Sequence, residues 1–237
     1  MEFSTRTRLG EIATAFPASM RIFEAHGLDY CCGGQRELGE ACAASGLAPE
    51  KVLEDLEVLK AAGNVAGPDW REASVTALVE HLLATHHVFT RNELARLMPL
   101  MTKVAGVHGE RHPELMQIRE YFKEIHNDLL PHLMKEEQVL FPYLLALDAG
   151  QPAPSCFGTV AHPIRAMEHE HDQVGELLHR IRDVSRDFDL PEGACGSYRS
   201  LFMGLADLEA DLHQHIHLEN NVLFRKALEL EGAQTGA

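Results

Sequence analysis

Apolar positions in the second part of the chain recur every three or four residues, the period of a helix with one buried face. One stripe runs Ile118, Phe122, Ile125, Leu129, His132, Glu136, Leu140, Tyr143, and another runs Leu205, Leu208, Leu212, His215, Glu219, Leu223. Ile164, Met167, His171, Val174, Leu178 and Ile181 form a third, and Val79, Leu83, His87, Leu94 and Leu97 a fourth. The pattern predicts long helices over roughly 74–100, 111–147, 160–187 and 197–230. Their breaks fall at Gly106 to Gly109, at the Gly/Pro-rich stretch Asp148 to Gly158, and at Asp189 to Gly196. Short connections between long amphipathic helices predict an all-α fold, an antiparallel four-helix bundle. Residues 1–62 read instead as a small helical domain, broken at Ala25-His26-Gly27, at Gly33-Gly34, and at Gly46 ahead of Pro49. Residues 63–73 have the Gly/Pro content of a linker, Ser74 is placed to cap the next helix, and 74–237 form the bundle.

The stripes carry residues that do not belong in an apolar core. H-L-M-K-E-E-Q-V-L-F-P from His132 recurs as H-I-H-L-E-N-N-V-L-F-R from His215, so that each copy holds H-x-x-x-E in the same phase. His132 with Glu136, and His215 with Glu219, therefore sit one above the other on a core-facing helix side. A carboxylate among leucines is costly to bury without a positive charge, and no Lys or Arg shares either stripe. A metal cation supplies that charge. On the third helix His171 lies inward, with His169 about 200° away around the axis. On the first, the stripe through His87 competes with Leu78, Leu82, His86, Phe89. The repeat decides for His87, which precedes His132 by 45 residues as His171 precedes His215 by 44. Four imidazoles and two carboxylates converging on a bundle axis suit a pair of irons, with manganese second. Structural zinc sites close with four ligands and prefer thiolates. A lone buried His or Glu is more often a hydrogen-bonded core residue, so the weight rests on the two copies in matching phase. His81, His86, His112, His126, His162, His169, His179, His213 and His217 are assigned to the surface or to supporting positions.

Composition narrows the partners. A net charge of −15 lacks the basic footprint that nucleic acid or an anionic membrane requires. Histidine is abundant, 15 of 237 residues, beside 36 carboxylates. Met1 to Ile12 contains charges and no apolar run of signal-peptide length, and no segment approaches a membrane span, which places the protein in the cytoplasm. The five cysteines form no C-x-x-C pair, so neither a disulfide framework nor a thiolate zinc site is expected. Cys31 and Cys32 in D-Y-C-C-G-G suit a reactive or metal-transferring loop tip, against the plainer alternative of two buried small apolar residues. Cys42, Cys156 and Cys195 carry no functional expectation.

D-Y-C-C-G-G followed by a bundle with M-K-E-E-Q-V-L-F-P and H-L-E-N-N-V-L-F resembles the iron–sulfur cluster repair di-iron proteins, which join a cysteine-bearing N-terminal domain to a hemerythrin-like domain. The resemblance spans essentially the whole chain. It implies a non-haem di-iron centre held by His87, His108, His132, Glu136, His171, His215 and Glu219, with Glu136 and Glu219 bridging. His108 comes from the resemblance alone, since periodicity is silent at its Gly-flanked position. The implied function is repair of clusters damaged by oxidative or nitrosative stress, by supplying iron, with damaged iron–sulfur proteins as partners; beside it, the residues themselves offer Cys31 and Cys32 as redox or transfer thiols. Two alternatives stay open: an enzyme reducing nitric oxide or dioxygen, and a module that binds or senses such a gas. Oxygen carriers of the hemerythrin type place H-x-x-x-H on the third helix, whereas Gly175 follows His171 here, which weakens the carrier reading. Arg225 stands where the family normally has Pro. The sequence does not fix the oligomeric state and leaves room for a homodimer.

Overall fold

The computed structural model describes residues 2–62, 70–151 and 157–235. The chain divides into two compact units, Met1–Leu78 with Ile216–Ala237, and Val79–His215. Most of the expected linker lies outside the described residues, and the end of the last helix belongs with the N-terminal unit.

The N-terminal unit holds α1 (Leu9–Ala15), a 3-10 turn (Pro17–Ser19), α2 (Met20–Ala25), α3 (Leu38–Ala44) and α4 (Pro49–Ala61). Gly27 and Gly46 adopt φ of 63° and 68°, where an L side chain is strained, and they stop α2 and α3. In each case the residue after the glycine bonds back across the turn, Leu28 N–H to the Phe23 carbonyl and Leu47 N–H to that of Cys42, both at 2.8 Å. Pro49 opens α4, where its missing N–H costs no hydrogen bond. Leu9, Ile12, Phe23, Tyr30, Leu38, Val52, Leu56 and Ile216 bury a common core that includes Cys42. That cysteine is packing material. Cys156 lies outside the described residues.

The remaining helices are α5 (Val75–Leu82), α6 (Val88–His108), α7 (Glu114–Lys135), α8 (Phe141–Asp148), α9 (Ala161–Ser185), α10 (Gly196–Leu218) and α11 (Phe224–Thr235), of which α6 to α9 and most of α10 build the bundle unit. Ser74 caps the first of these, its Oγ accepting from Ala77 N–H at 3.1 Å. Three π-helical turns interrupt the long helices, at Leu83–His87, Glu136–Leu140 and Glu219–Leu223. On α7 the stripe Ile118, Phe122, Ile125 is fully buried against Leu97 and Met101 of α6, Leu178 and Ile181 of α9, and Leu205 and Leu208 of α10. Each such side chain contributes roughly 1.5–3 kcal/mol by leaving water. This apolar stretch holds the polar ends of the same stripes in register.

Among the described residues no helix is long and apolar enough to cross a membrane.

Candidate metal centre

Each π turn carries one of the acidic or imidazole candidates: His87 ends the first, Glu136 opens the second and Glu219 opens the third. A π turn inserts a residue into the helix and re-aims the side chains beside it, and such turns concentrate at functional sites. The first π turn also explains why two stripes compete in the sequence. Both Leu78 and Val79 are buried before it, and both His86 and His87 within it.

His87, His132, Glu136, His171, His215 and Glu219 are all buried, Glu136 and Glu219 completely. Two overlapping groups each bring their ligand atoms within 4.8 Å of one another: His87, Glu136, His215, Glu219, and His132, Glu136, His171, Glu219. The two carboxylates are common to both. Within the bundle unit, Glu136 Oε2 lies 3.4 Å from His132 Nε2 and 3.6 Å from His87 Nε2. His132 Nε2 faces His171 Nε2 at 3.1 Å.

The outer nitrogens of two of these rings are occupied. His132 Nδ1–H donates to Glu170 Oε2 at 2.8 Å, and His87 Nδ1–H donates to Glu137 Oε1 at 2.8 Å. A carboxylate accepts, so each ring keeps its proton on Nδ1 and turns the Nε2 lone pair inward, the tautomer a metal needs. Glu170 is itself bound by Lys135, and Glu137 by Arg91 at 2.8 Å. The hydrogen bond from His132, reinforced by Lys135, pulls the Glu170 carboxyl down to about 2 against partial burial. Burial pushes Glu137 up, but its bonds to His87 and Arg91 outweigh that and leave it below the ordinary range.

The donor set fits a pair of cations on one observation above the others. Neither carboxylate oxygen of Glu136 receives a hydrogen bond among the described residues, although the side chain is fully buried. A buried carboxylate left so costs several kcal/mol, and a cation held by it would remove that cost.

His108 stands apart. It ends α6 while His87 immediately precedes that helix, and 21 residues of helix separate the two ends by about 30 Å. Its Nε2 lies 3.3 Å from Cys195 Sγ, and its ring meets Tyr198 edge-on. The structure does not bring it to the other six candidates. Replacing His108 by Ala is expected to leave the iron content of the purified protein unchanged, as is replacing the exposed His169; loss of metal in either variant would contradict this placement.

Two histidines outside the six, His86 and His217, are buried rather than at the surface. His86 bonds Asp211 Oδ1 at 2.9 Å and stacks on His215 with ring centroids 5.5 Å apart. The nearly equal second stripe of the first helix was the available signal for it. His217 is fully buried in the N-terminal unit, 3.3 Å from Thr14 Oγ1, and burial lowers it to about 4. No one-dimensional pattern marks it, because its partners come from the first helix.

The thiol pair also differs from an exposed tip. Asp29 accepts the N–H groups of Cys31 and Cys32 on Oδ1 at 3.1 and 2.9 Å, and of Gly33 on Oδ2 at 2.8 Å, folding the loop around its carboxylate. Cys31 is consequently buried and Cys32 only partly exposed, with their sulfurs 3.9 Å apart. The neighbouring Cys32 thiol and burial raise the Cys31 thiol well above its ordinary value.

Residues 78–227 match the family described as hemerythrin HHE cation binding domain, and residues 5–60 match one described as a domain of unknown function, DUF542. The iron-sulfur cluster repair protein YtfE of Escherichia coli K12 (strain DH10B) is 36% identical over 220 residues, covering 93% of this chain and 96% of that protein. The proteins of the same name from Shigella boydii serotype 4 and from Escherichia coli O17:K52:H18 show the same identity and coverage.

Proposed function

Because this chain belongs to the hemerythrin HHE cation-binding family, we propose that it is a di-iron protein that repairs iron–sulfur clusters damaged by oxidative or nitrosative stress. The observation that carries the proposal is the buried pair of His/Glu groups sharing Glu136 and Glu219. His87, His132, Glu136, His171, His215 and Glu219 would hold the irons. Bound there, the irons supply one-electron redox chemistry and a store of exchangeable iron. Glu137 and Glu170 hold the His87 and His132 rings in the metal-binding tautomer, and their own charges are balanced by Arg91 and Lys135.

The targets are damaged iron–sulfur proteins. Nitric oxide or dioxygen is the small ligand proposed for the centre, and the cytoplasm is the proposed compartment. Free Cys31, Cys32, Cys42 and Cys195 support a reducing environment.

The test uses an enzyme whose iron–sulfur cluster has been damaged by nitric oxide. The iron-loaded protein is expected to restore its activity with free iron chelated, and the metal-free protein is not. Equal recovery with the two forms would contradict the proposal.

A further inference from the structure

Asn221 sits in the π turn Glu219–Leu223, two residues beyond a buried carboxylate of the metal centre. Its side chain belongs to a different network. Nδ2 donates to the Cys31 carbonyl at 2.9 Å and reaches the Tyr30 carbonyl at 3.3 Å, while Oδ1 accepts from Gln35 Nε2 at 3.2 Å. His217, one turn earlier, places Nδ1 3.3 Å from the same amide nitrogen, and its ring meets Tyr30 edge-on. The amide is thus held by the Tyr30 and Cys31 carbonyls through its nitrogen and by Gln35, just past the two cysteines, through its oxygen.

The fit is also steric. A Cβ added at Gly34 would meet Asn221 Oδ1 at 2.5 Å and the Tyr30 carbonyl at 2.6 Å, and one added at Gly10 would meet Oδ1 at 2.6 Å. Gly10 N–H bonds the Gly34 carbonyl at 2.8 Å, closing the slot. Gly34 of D-Y-C-C-G-G therefore serves to admit Asn221. Its φ is not positive, so backbone conformation alone does not require glycine there.

We propose that Asn221 is a positioning residue for the Cys31–Cys32 loop, and that it makes thiol accessibility depend on whether Glu219 holds metal. This rests on the assignment of Glu219 to the di-iron centre. A π turn has a close competitor in the α-helical register, so a ligand that fixes Glu219 favours one arrangement of residues 219–223. With Gly10 and Gly34 in contact, Asn221 cannot shift without moving the backbone at Tyr30 and Cys31. Iron on Glu219 then holds the loop in the arrangement described, with Cys31 buried, and iron loss releases it.

The experiment measures alkylation of Cys31 and Cys32 by N-ethylmaleimide, resolved by peptide mass, in the full chain with and without ferrous iron. Iron is expected to slow alkylation about fivefold in the unaltered protein, the lower end of ordinary coupling between sites. In Asn221→Ala the loaded and metal-free rates should converge while both irons remain bound. Asn221→Asp keeps the shape, removes the donor and should behave alike. A residue that merely supports the fold would raise both rates and leave their ratio intact; that result overturns the inference, as does a ratio near one in the unaltered protein, or loss of iron in Asn221→Asp. Failure of the unaltered protein to bind iron would overturn the proposed function instead, which iron content measured on the same samples distinguishes.

Discussion

Replacing Glu136 by Ala is expected to lower bound iron from two per chain to less than one, because Glu136 belongs to both ligand groups. The fold should survive. The site loses a buried carboxylate that receives no hydrogen bond among the described residues, which in the metal-free protein is an energetic burden rather than a support. The signature is therefore a lost response to metal. In the unaltered protein, ferrous iron at about a hundred times its dissociation constant adds roughly 2.7 kcal/mol of stability. In Glu136→Ala, denaturant unfolding with and without iron should give nearly the same midpoint. A variant that keeps two irons and the full stabilisation would remove Glu136 from the centre.

The second large effect concerns the thiols. Replacing both Cys31 and Cys32 by Ser is expected to leave two irons bound, since none of the six converging ligands is a thiol, while abolishing most of the repair of a nitric-oxide-damaged cluster enzyme. The measurement is the rate of reactivation beside iron content. Repair at the unaltered rate would make the pair structural, in line with the burial of Cys31. Iron loss would join the two sites into one.

Helical phase made the bundle legible. The spacing of Ile118, Phe122, Ile125, His132 and Glu136 is local information, and each of these residues is buried as the period requires. The same reasoning placed His171 and His215 inward, and both are. It was ambiguous at His86 and His87 because a π turn breaks the period there and buries both. His108 shows the limit of reasoning by resemblance. Its position in the chain suited a ligand, but a continuous helix carries it to the end of α6 remote from His87. The N-terminal core was least legible, since Asn221 and His217 meet Cys31, Gly34 and Thr14 across about two hundred residues of sequence, and such contacts leave no local period.

The shared centre is tested most directly by an anaerobic titration of the metal-free full chain with ferrous iron, followed by bound metal per chain. Saturation at two irons is expected, both lost together in Glu136→Ala because the two groups share that carboxylate. Saturation at one iron, or a variant that gives up a single iron and keeps the other unperturbed, would contradict a shared centre.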